Sequence, residues 1–406
     1  MRRINPDNFR LAGRGTSREI NRQIAFNLIR SRQPISRADL ARLMGTRRGA
    51  VTLLINDLLE DGLVYEGATG EVPRGRKPKF LYIDSRRRCV VAVDLRPTRS
   101  QVVVTDVAGE PLVGTTSFPT ERDPERLVAE LARRVRGLLA QHPEVGRCEG
   151  IGVVVPGMVD RSGSRVLFAP RLGWRDVALR EPLAAALGLP VTMENSGKAC
   201  ALAQAWSARG DAAAPEDLVF LSVADGLGVG VVTNGQLLRG RHNMGGEFGH
   251  IPLDLAGPMC ACGARGCWEA HVSNLATLSR YVGRELVPGH ELPKELAALT
   301  IEDVIARARQ GDRQAVAAIT ATAHYLGIGL AAVVNVVDPA RIYVSGEITT
   351  AWDLVEPPVR AALAERTLPP ARGEVDIRIV PQQDLPRLRG AVALVTMPAF
   401  AAPIVA

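Results

Sequence analysis

Apolar residues recur at helical spacing in three short segments near the start of the chain. We expect a helix over residues 17–30, a second one that begins after Ser36, and a third one that runs to about residue 61. Ser36 and Asp39 form a variant of the capping box, and Thr46 is expected to cap the third helix. The positions expected to face the core are Ile20, Ile24, Leu28, Ile29, Leu40, Leu43, Val51, Ile55, Leu58 and Leu59.

Two segments after the third helix alternate apolar and polar residues as the strands of a hairpin do. They cover residues 62–65 and 79–83 and enclose the basic segment 73–78. Helix, turn, longer helix and hairpin together predict a winged helix-turn-helix over residues 1–84, with the third helix in the major groove of DNA. The basic segment would be a wing in the minor groove, although a solvated loop tip would look the same. The predicted DNA contacts are Ser36, Thr46, Arg47, Arg48, Thr52, Arg74, Arg76 and Lys77.

From Cys89 onward, buried-strand patterns alternate with a helical pattern, which is typical of α/β proteins. Two such sets, each opening with a pair of strands near an acidic residue and glycines, predict a duplicated fold whose two lobes enclose a cleft. We place the first lobe at 85–206 and the second at 207–387, and we expect a C-terminal helix, 388–406, to pack back on the first lobe. The predicted strands are 89–95, 101–106, 150–155, 218–224, 229–233 and 341–345, with a helix over 124–142.

The basic residues are concentrated near the start of the chain. The 406 residues carry a net charge of +7, but residues 1–88 hold 19 Lys and Arg against 9 Asp and Glu, whereas the others hold 31 against 34. A basic head on a nearly neutral body is typical of a nucleic-acid-binding domain joined to another domain, although a solvated basic arm has the same composition. We recognise no secretory signal and no apolar run of transmembrane length, so we expect a cytoplasmic protein without membrane contact.

Three of the six cysteines and one histidine lie within 18 residues. This donor set and spacing predict a structural Zn²⁺ site of the Cys₃His type in the loop 250–267. Core cysteines or a disulfide are the alternative, but Gly263 and Gly266 allow a tight loop that neither would need. Glu247 and Glu269 flank the loop, and a metal would hold both carboxylates rigidly beside a histidine, as in a pocket for a polyol. The expected ligands are His250, Cys260, Cys262 and Cys267.

Five segments of the body carry a family resemblance. Through them, residues 90–406 resemble the ROK family of repressors, open reading frames and sugar kinases, and this implies an actin-like, ribonuclease-H-like fold. Together with the winged head, the resemblance points to the repressor branch, similar to regulators of xylose or N-acetylglucosamine use. The segments are Val-Pro-Gly-Met-Val-Asp at 155–160, Leu-Gly-Trp at 172–174, Glu194-Asn195, Gly-Gly-Glu-Phe-Gly-His at 245–250, and Cys-Ala-Cys-Gly-Ala-Arg-Gly-Cys-Trp-Glu at 260–269.

A sugar kinase needs a general base and a cradle for the ATP phosphates. In kinases of this family the base resembles the Asp of a Glu-Asn-Asp motif, where this chain has Ser196, whose hydroxyl cannot deprotonate a sugar near neutral pH. The family's Asp-x-Gly-Gly-Thr loop reads Asp-Leu-Arg-Pro-Thr at 94–98, and Pro97 lacks an N–H that could bind a phosphate. We therefore expect no catalytic residues and no enzymatic activity.

The resemblance implies that a sugar pocket remains, lined by Gly157, Asn195, Glu247, His250 and Glu269. Arg171 stands where sugar-binding relatives often carry Asn, and this added cation would favour a phosphorylated or acidic sugar. The sequence thus predicts a repressor of carbohydrate-utilisation genes that binds a double-stranded DNA operator, as a homodimer or homotetramer, and responds to a sugar or sugar phosphate. Two alternatives stay open: a bifunctional ATP-dependent sugar kinase, and a repressor controlled by a protein partner.

Overall fold

The computed structural model describes residues 14–69, 79–85, 88–207, 215–290, 293–296, 298–369 and 375–400. Those parts of the chain contain four β-sheets, with helices packed around them. Three of the predicted DNA contacts, Arg74, Arg76 and Lys77, lie outside the described residues and stay predictions.

The head consists of three helices and a small antiparallel sheet. Its elements are α1 Arg14–Arg32, β1 Ile35–Ser36, α2 Arg37–Leu43, α3 Arg48–Glu60, β2 Val64–Thr69 and β3 Lys79–Ile83. Strand β3 lies between β1 and β2 and pairs antiparallel with both. Buried Phe26 and Ile29 of α1, Leu40 of α2 and Ile55 of α3 meet Leu81 of β3 in one apolar core, which holds the helices on the sheet.

Details of the head differ from the sequence prediction. Helix α3 has Arg47 at its N-cap and no side-chain cap, so Thr46 does not cap it. Ile24 and Leu43 were expected in the core but are 44% and 52% exposed. A helix turns by about 100° per residue, so a small shift of the buried stripe exposes them and buries other positions of the same helices.

The first lobe is built on a five-stranded sheet with helices on both faces. Its elements are β4 Arg88–Asp94, β5 Arg99–Asp106, β6 Thr116–Pro119, α4 Pro124–Gln141, β7 Arg147–Val155, β8 Met158–Val159, β9 Arg165–Ala169, β10 Trp174–Ala178, α5 Arg180–Leu187, β11 Val191–Asn195, α6 Ser196–Ser207 and the C-terminal α12 Pro386–Phe400. The strand order is β11-β7-β4-β5-β6, in which β4 and β5 form an antiparallel hairpin and β7 and β11 run parallel to β4. Strands β8, β9 and β10 form a separate small sheet.

Strand β4 is apolar at nearly every position because both of its faces are covered. Val91 and Val93 join the core that contains α4 and α5, whereas Val90 and Ala92 join the core that contains α6 and α12. A strand buried on two sides reads as a continuous apolar run rather than an alternating one. Helix α12 thus packs against the first lobe although it follows the second lobe in sequence.

The second lobe repeats this topology. Its elements are β12 Leu218–Val223, β13 Leu227–Thr233, β14 Gln236–Leu237, α7 Trp268–Val272, α8 Asn274–Val282, α9 Ile301–Arg309, α10 Arg313–Val337, β15 Arg341–Ser345, α11 Trp352–Arg366 and β16 Asp376–Ile379. The order is β14-β13-β12-β15-β16, with an antiparallel β12–β13 hairpin and with β15 and β16 parallel to β12. Each lobe therefore has a hairpin, a short third strand beside it and two parallel strands on the other side, which is the α/β architecture expected of a duplicated fold.

One helix of the described chain, α10, is long and apolar enough by length and composition to cross a membrane. The pattern of apolar residues along the chain predicts no run of that length, so this helix differs from the expectation. Over half of its most apolar window, 56%, is buried inside the protein, where it packs against α7, α8, α9 and α11. Its apolar character is explained by its place in the core of the second lobe.

Candidate functional site

The four expected metal ligands come together in one cluster. One donor atom from each of His250, Cys260, Cys262 and Cys267 lies within 4.8 Å of the others. Cys262 Sγ is 3.7 Å from Cys267 Sγ, and Cys260 Sγ is 3.7 Å from His250 Nδ1. Two sulfurs bound at about 2.3 Å to one tetrahedral ion would lie about 3.8 Å apart. The cysteines are free thiols, so the cluster fits a metal ion and not a disulfide.

The loop can close around a metal because glycine stands at its tight points. Gly263 and Gly266 have φ angles of +94° and +68°, which glycine adopts without strain. A Cβ at position 266 would lie 1.4 Å from the carbonyl oxygen of Asp254, so no other residue fits there. The loop ends with Cys267 at the N-cap of α7, and Glu269 follows in the first turn of that helix. The metal cluster and this carboxylate are therefore parts of one short structural unit.

The residues expected to bind a sugar line one cavity of about 300 Å³ between the lobes. Arg171 and Ser196 line it as well. The backbone at position 157 lies close to β9, since a Cβ there would be 2.6 Å from the carbonyl oxygen of Phe168. The five expected residues that the structure brings together here are Gly157, Asn195, Glu247, His250 and Glu269.

Asn195 and Glu269 are held in place by backbone groups. Asn195 Nδ2 donates to the carbonyl of Gly157 at 2.8 Å, and its Oδ1 accepts the N–H of Gly197 at 2.9 Å. Asn195 therefore caps the first turn of α6 while it faces the cavity. Glu269 Oε2 accepts the N–H of Leu227 at 2.9 Å, which joins α7 to β13. Both side chains are preorganised before any ligand binds.

A buried lysine, which the sequence analysis missed, lies beside Glu247. The Lys198 side chain is 1% exposed, and its Nζ donates to the carbonyl of Asn243 and lies 3.6 Å from Glu247 Oε1. Burial raises the pKa of Glu247, an effect that the positive charge of Lys198 opposes. Lys198 follows Asn195 by three residues at the start of α6, so helical spacing from the predicted pocket residue was the available signal.

In another part of the same cavity, two arginines neutralise Asp94. Asp94 is 0% exposed, and its carboxylate accepts hydrogen bonds from Arg96 Nε at 2.7 Å and Arg387 Nε at 2.6 Å. Arg387 also donates to the carbonyl of Leu95 at 2.8 Å. Pro97 lines the cavity beside them. The aspartate of the loop that resembles a phosphate cradle is thus committed to ion pairs within the protein.

The predicted DNA contacts of the head divide into surface and buried residues. Thr46, Arg47 and Arg48 are exposed at the start of α3, and Thr52 is half-buried one turn later. Ser36 is only 4% exposed, and its hydroxyl donates to Asp39 Oδ2 at 2.6 Å within the capping box of α2. Contrary to the prediction, Ser36 is therefore not available to contact DNA, because it stabilises the start of α2.

Helix α3 presents an open N-terminus and one continuous exposed face. Its first N–H groups have no side-chain cap, so they are available to an anion such as a DNA phosphate. Leu53, which is 61% exposed, and Asn56 were missed by the sequence analysis. Together with Gly49 and Thr52 they have the spacing i, i+3, i+4 and i+7, which places all four on one side of the helix.

Helix α6 connects the cavity to the head. Its N-terminus is capped by Asn195, and near its C-terminus Trp206 joins the apolar core of the head. The Arg30 guanidinium of α1 lies 3.4 Å over the centre of the Trp206 ring, and its Nη2 donates to the carbonyl of Trp206 at 2.7 Å. One helix of 12 residues therefore touches a pocket residue at one end and the head at the other.

Known regulators are similar to most of the chain. The model of the ROK family matches residues 90–397. The xylose repressor of Bacillus subtilis (strain 168) is 27% identical over 350 residues, which are 86% of this chain and 88% of that protein. A solved structure of a ROK family transcriptional regulator, a homolog of the E. coli MLC protein, superposes with a TM-score of 0.79 at 28% identity, over 95% of this chain and 97% of the other.

The body alone is also similar to sugar kinases. The glucokinase of Streptomyces coelicolor is 33% identical over 280 residues, which are 66% of this chain and 85% of that protein. The similarity to regulators thus extends over a larger part of the chain than the similarity to this kinase.

Proposed function

This chain belongs to the ROK family, and from that premise we propose that it is a transcriptional repressor of carbohydrate-utilisation genes that responds to a sugar or sugar phosphate. The observation that carries the proposal is the similarity to a xylose repressor and to a transcriptional regulator over most of the chain, head and body together. A kinase-like body joined to a basic head suits a protein that binds a ligand and changes its affinity for DNA in response.

The head is the DNA-binding part in this proposal. It is a winged helix-turn-helix in which α2 and α3 form the helix pair and the β2–β3 hairpin forms the wing. Arg47 and Arg48 at the open N-terminus of α3 contact phosphates of the operator, while the face with Thr52, Leu53 and Asn56 meets the base edges in the major groove.

The cavity between the lobes is the effector site. Sugar hydroxyls donate hydrogen bonds to the carboxylates of Glu247 and Glu269, which the fold holds in place from both sides of the metal loop. Asn195 and the backbone of Gly157 complete the site. Arg171 lines the same cavity and supplies the cation that a phosphorylated or acidic sugar needs.

The body does not act as a kinase in this proposal. Ser196 stands at the position of the expected base and offers no group that accepts a proton near neutral pH. Pro97 lacks an N–H, and the carboxylate of Asp94 is saturated by two guanidinium groups. The loss of both the base and the phosphate cradle leaves a binding site without catalysis.

The metal in the Cys₃His cluster is Zn²⁺ with a structural role. His250, Cys260, Cys262 and Cys267 would hold it, and four protein ligands leave no open position for substrate or water. When bound, the ion supplies a rigid crosslink between the start and the end of the loop. This chain's own contribution is to place Glu269 two residues after the last ligand, so that a rigid loop holds this carboxylate in the effector site.

Helix α6 transmits the state of the cavity to the head. Closure of the two lobes on a sugar moves Asn195 and with it the capped N-terminus of α6, and the Arg30–Trp206 contact carries that movement to α1. In a homodimer or homotetramer two heads bind the two halves of a palindromic operator, so a change in their spacing weakens binding.

The experiment that tests the proposal measures how a sugar bound in the body changes DNA binding by the head. The purified, zinc-loaded protein selects its operator from fragmented genomic DNA, and fluorescence anisotropy then follows operator binding in the presence of aldoses, amino sugars and their 6-phosphates. We expect one of them to weaken operator binding of the wild type by about tenfold or more and to leave Glu247→Ala unaffected. Glu365→Ala, which removes an exposed carboxylate on α11, should respond like the wild type.

Two results would replace this proposal. Operator binding that no sugar or sugar phosphate alters would favour a repressor controlled by a protein partner. Sugar-dependent conversion of ATP to ADP, with transfer of the γ-phosphoryl group to a sugar hydroxyl and ADP measured in a coupled assay, would favour the bifunctional kinase that the glucokinase similarity suggests.

A further inference from the structure

A second cavity, of about 500 Å³, lies in the second lobe. Its walls are Asp254 and residues 256–259 of the metal loop, His271 of α7, helix α8 with the residues that follow it, and Tyr325 of α10. None of its lining residues within the described chain also lines the cavity between the lobes. It is a separate site, and the proposed function assigns it no role.

One wall of this cavity carries an arginine whose charge is not neutralised. Arg280 Nη1 donates to the carbonyl of His271 and to the hydroxyl of Thr322, both at 2.8 Å. Within the described residues, its Nε–Nη2 edge has no hydrogen-bond partner and no carboxylate at ion-pair distance. Burial lowers the pKa of Arg280, and only Tyr325 opposes that effect. A partly buried cation without a counter-charge is costly unless an anion binds beside it.

A buried histidine in the same wall also lacks a partner. His271 is 3% exposed, and its Nε2 has no hydrogen-bond partner among the described groups. The His271 ring stacks on the Tyr325 ring, with 4.2 Å between the ring centres. The Arg280 guanidinium lies 5.1 Å from the centre of the Tyr325 ring. Gly257 packs against Nε2, since a Cβ there would lie 2.9 Å away, so the nitrogen is a buried, unpartnered group directly behind the cavity wall.

The remaining charges of the wall favour an anion. Arg265 and Arg284 line the cavity together with Arg280, against two carboxylates, those of Asp254 and Glu285. Both carboxylates already accept backbone N–H groups, each at 3.0 Å. The two acids of the wall are therefore partly satisfied by the protein itself, and neither lies at ion-pair distance from Arg280.

We propose that this cavity binds the phosphate group of a small metabolite through the free edge of Arg280 and Nε2 of His271. A phosphate accepts two parallel hydrogen bonds from a guanidinium edge and keeps further oxygens for an imidazole N–H. Because the metal loop forms one wall and ends beside Glu269, the bound phosphate stabilises the loop that shapes the sugar cavity. The cavity is thus a second effector site on the same lobe.

Thermal unfolding of the full-length, zinc-loaded protein tests this with inorganic phosphate as the probe, at constant pH and ionic strength. A ligand that binds only the folded state raises Tm in a saturable way. We expect such a rise for the wild type and a loss of about tenfold or more in apparent affinity for Arg280→Gln. Arg307→Gln is the matched control, because Arg307 also lies over a tyrosine ring, at 5.4 Å from the centre of Tyr281, but outside this cavity.

A second variant keeps the test decisive if Arg280→Gln does not fold. His271→Phe preserves an aromatic ring against Tyr325 and removes Nε2, so it should fold and bind phosphate more weakly than the wild type. Zinc content is measured throughout, so that loss of metal to phosphate is not mistaken for binding. A wild type without a saturable shift, or variants that all respond like the wild type, would overturn the proposal. Glu247→Ala must respond to phosphate like the wild type. This control separates phosphate binding in the second cavity from sugar binding in the cavity between the lobes.

Discussion

Lys198 and Lys79 each lie beside a glutamate, at 3.6 Å and 3.1 Å, but their surroundings differ. The Lys198 side chain is 1% exposed and the Lys79 side chain is 59% exposed. Water screens an exposed pair, which is worth at most about 1 kcal/mol, whereas removal of one partner from a buried pair costs about 3–5 kcal/mol. At the scale of single residues, burial thus decides which charges the fold depends on.

Lys198→Met should therefore lower the free energy of unfolding by about 3 kcal/mol or more. The substitution leaves the half-buried carboxylate of Glu247 without its cation and leaves the carbonyl of Asn243 without its donor in the buried space of Lys198. Urea unfolding followed by circular dichroism measures the loss. Lys79→Met is the control and should cost less than about 1 kcal/mol; equal losses in the two variants would contradict the argument.

Asp160 gives the stability a dependence on acid pH. Burial alone would raise its pKa, but hydrogen bonds from the Ser162 hydroxyl and from the N–H groups of Arg165, Ser164 and Ser162 outweigh that effect and lower the pKa to about 2. The ordinary pKa of an unfolded Asp is about 3.9. The stabilisation is thus fully present above about pH 4 and is lost as the pH falls toward 2.

Asp160→Asn removes that contribution. The free energy of unfolding of the variant should lie below that of the wild type at pH 5, and the difference should shrink as the pH falls to 3. Urea unfolding at steps of half a pH unit measures both proteins. A difference that stays constant across this range would show that the ionised carboxylate is not the stabilising group.

In the proposed function, regulation depends on helix α6, because its two ends lie in different parts of the molecule. Trp206 is 8% exposed and packs in the head, whereas the N-terminus lies at the effector cavity. Trp206→Ala should leave sugar binding and basal operator binding nearly unchanged. The ratio of the operator affinities without and with the sugar should fall close to one. Coupling between two sites is typically about 5- to 150-fold, so its loss is measurable by anisotropy.

Trp352→Ala is the control for this prediction. Trp352 begins α11 in the second lobe and packs against the core of that lobe, far from the head in the chain. Its substitution should lower stability but keep the effect of the sugar on operator binding. Full response in Trp206→Ala would show that α6 does not carry the signal.

At the scale of the whole molecule, the proposed function makes the effector site depend on zinc in the metal loop. Removal of the metal with a chelator, or Cys262→Ser, should weaken sugar binding by about tenfold or more, since the loop then no longer holds Glu269 in place. Operator binding by the head should persist. Metal analysis measures the zinc content, thermal shift measures sugar binding, and fluorescence anisotropy measures operator binding. Cys148→Ser, which changes a cysteine outside the cluster, should keep one zinc per chain; retention of zinc by Cys262→Ser would contradict the ligand set.

Much of the architecture was predictable because its signals are local. The apolar run of β4 and the capping pair Ser36–Asp39 depend on neighbours in sequence. The prediction failed where adjacent positions compete for one helix face, as with Ile24, and where a backbone turn decides the cap, as with Thr46. There, packing against the rest of the head selects the outcome.

The sequence by itself determined the alternation of strands and helices, the concentration of basic residues in the head, and the donor set of the metal loop, since spacing and residue type encode these directly. Only the tertiary structure decided that Arg387 neutralises Asp94 across 293 residues and that Arg30 meets Trp206 across 176. It also decided that Arg280 keeps a free edge beside His271. Such pairings depend on which faces of the sheets the helices cover, and no periodicity along the chain records that choice.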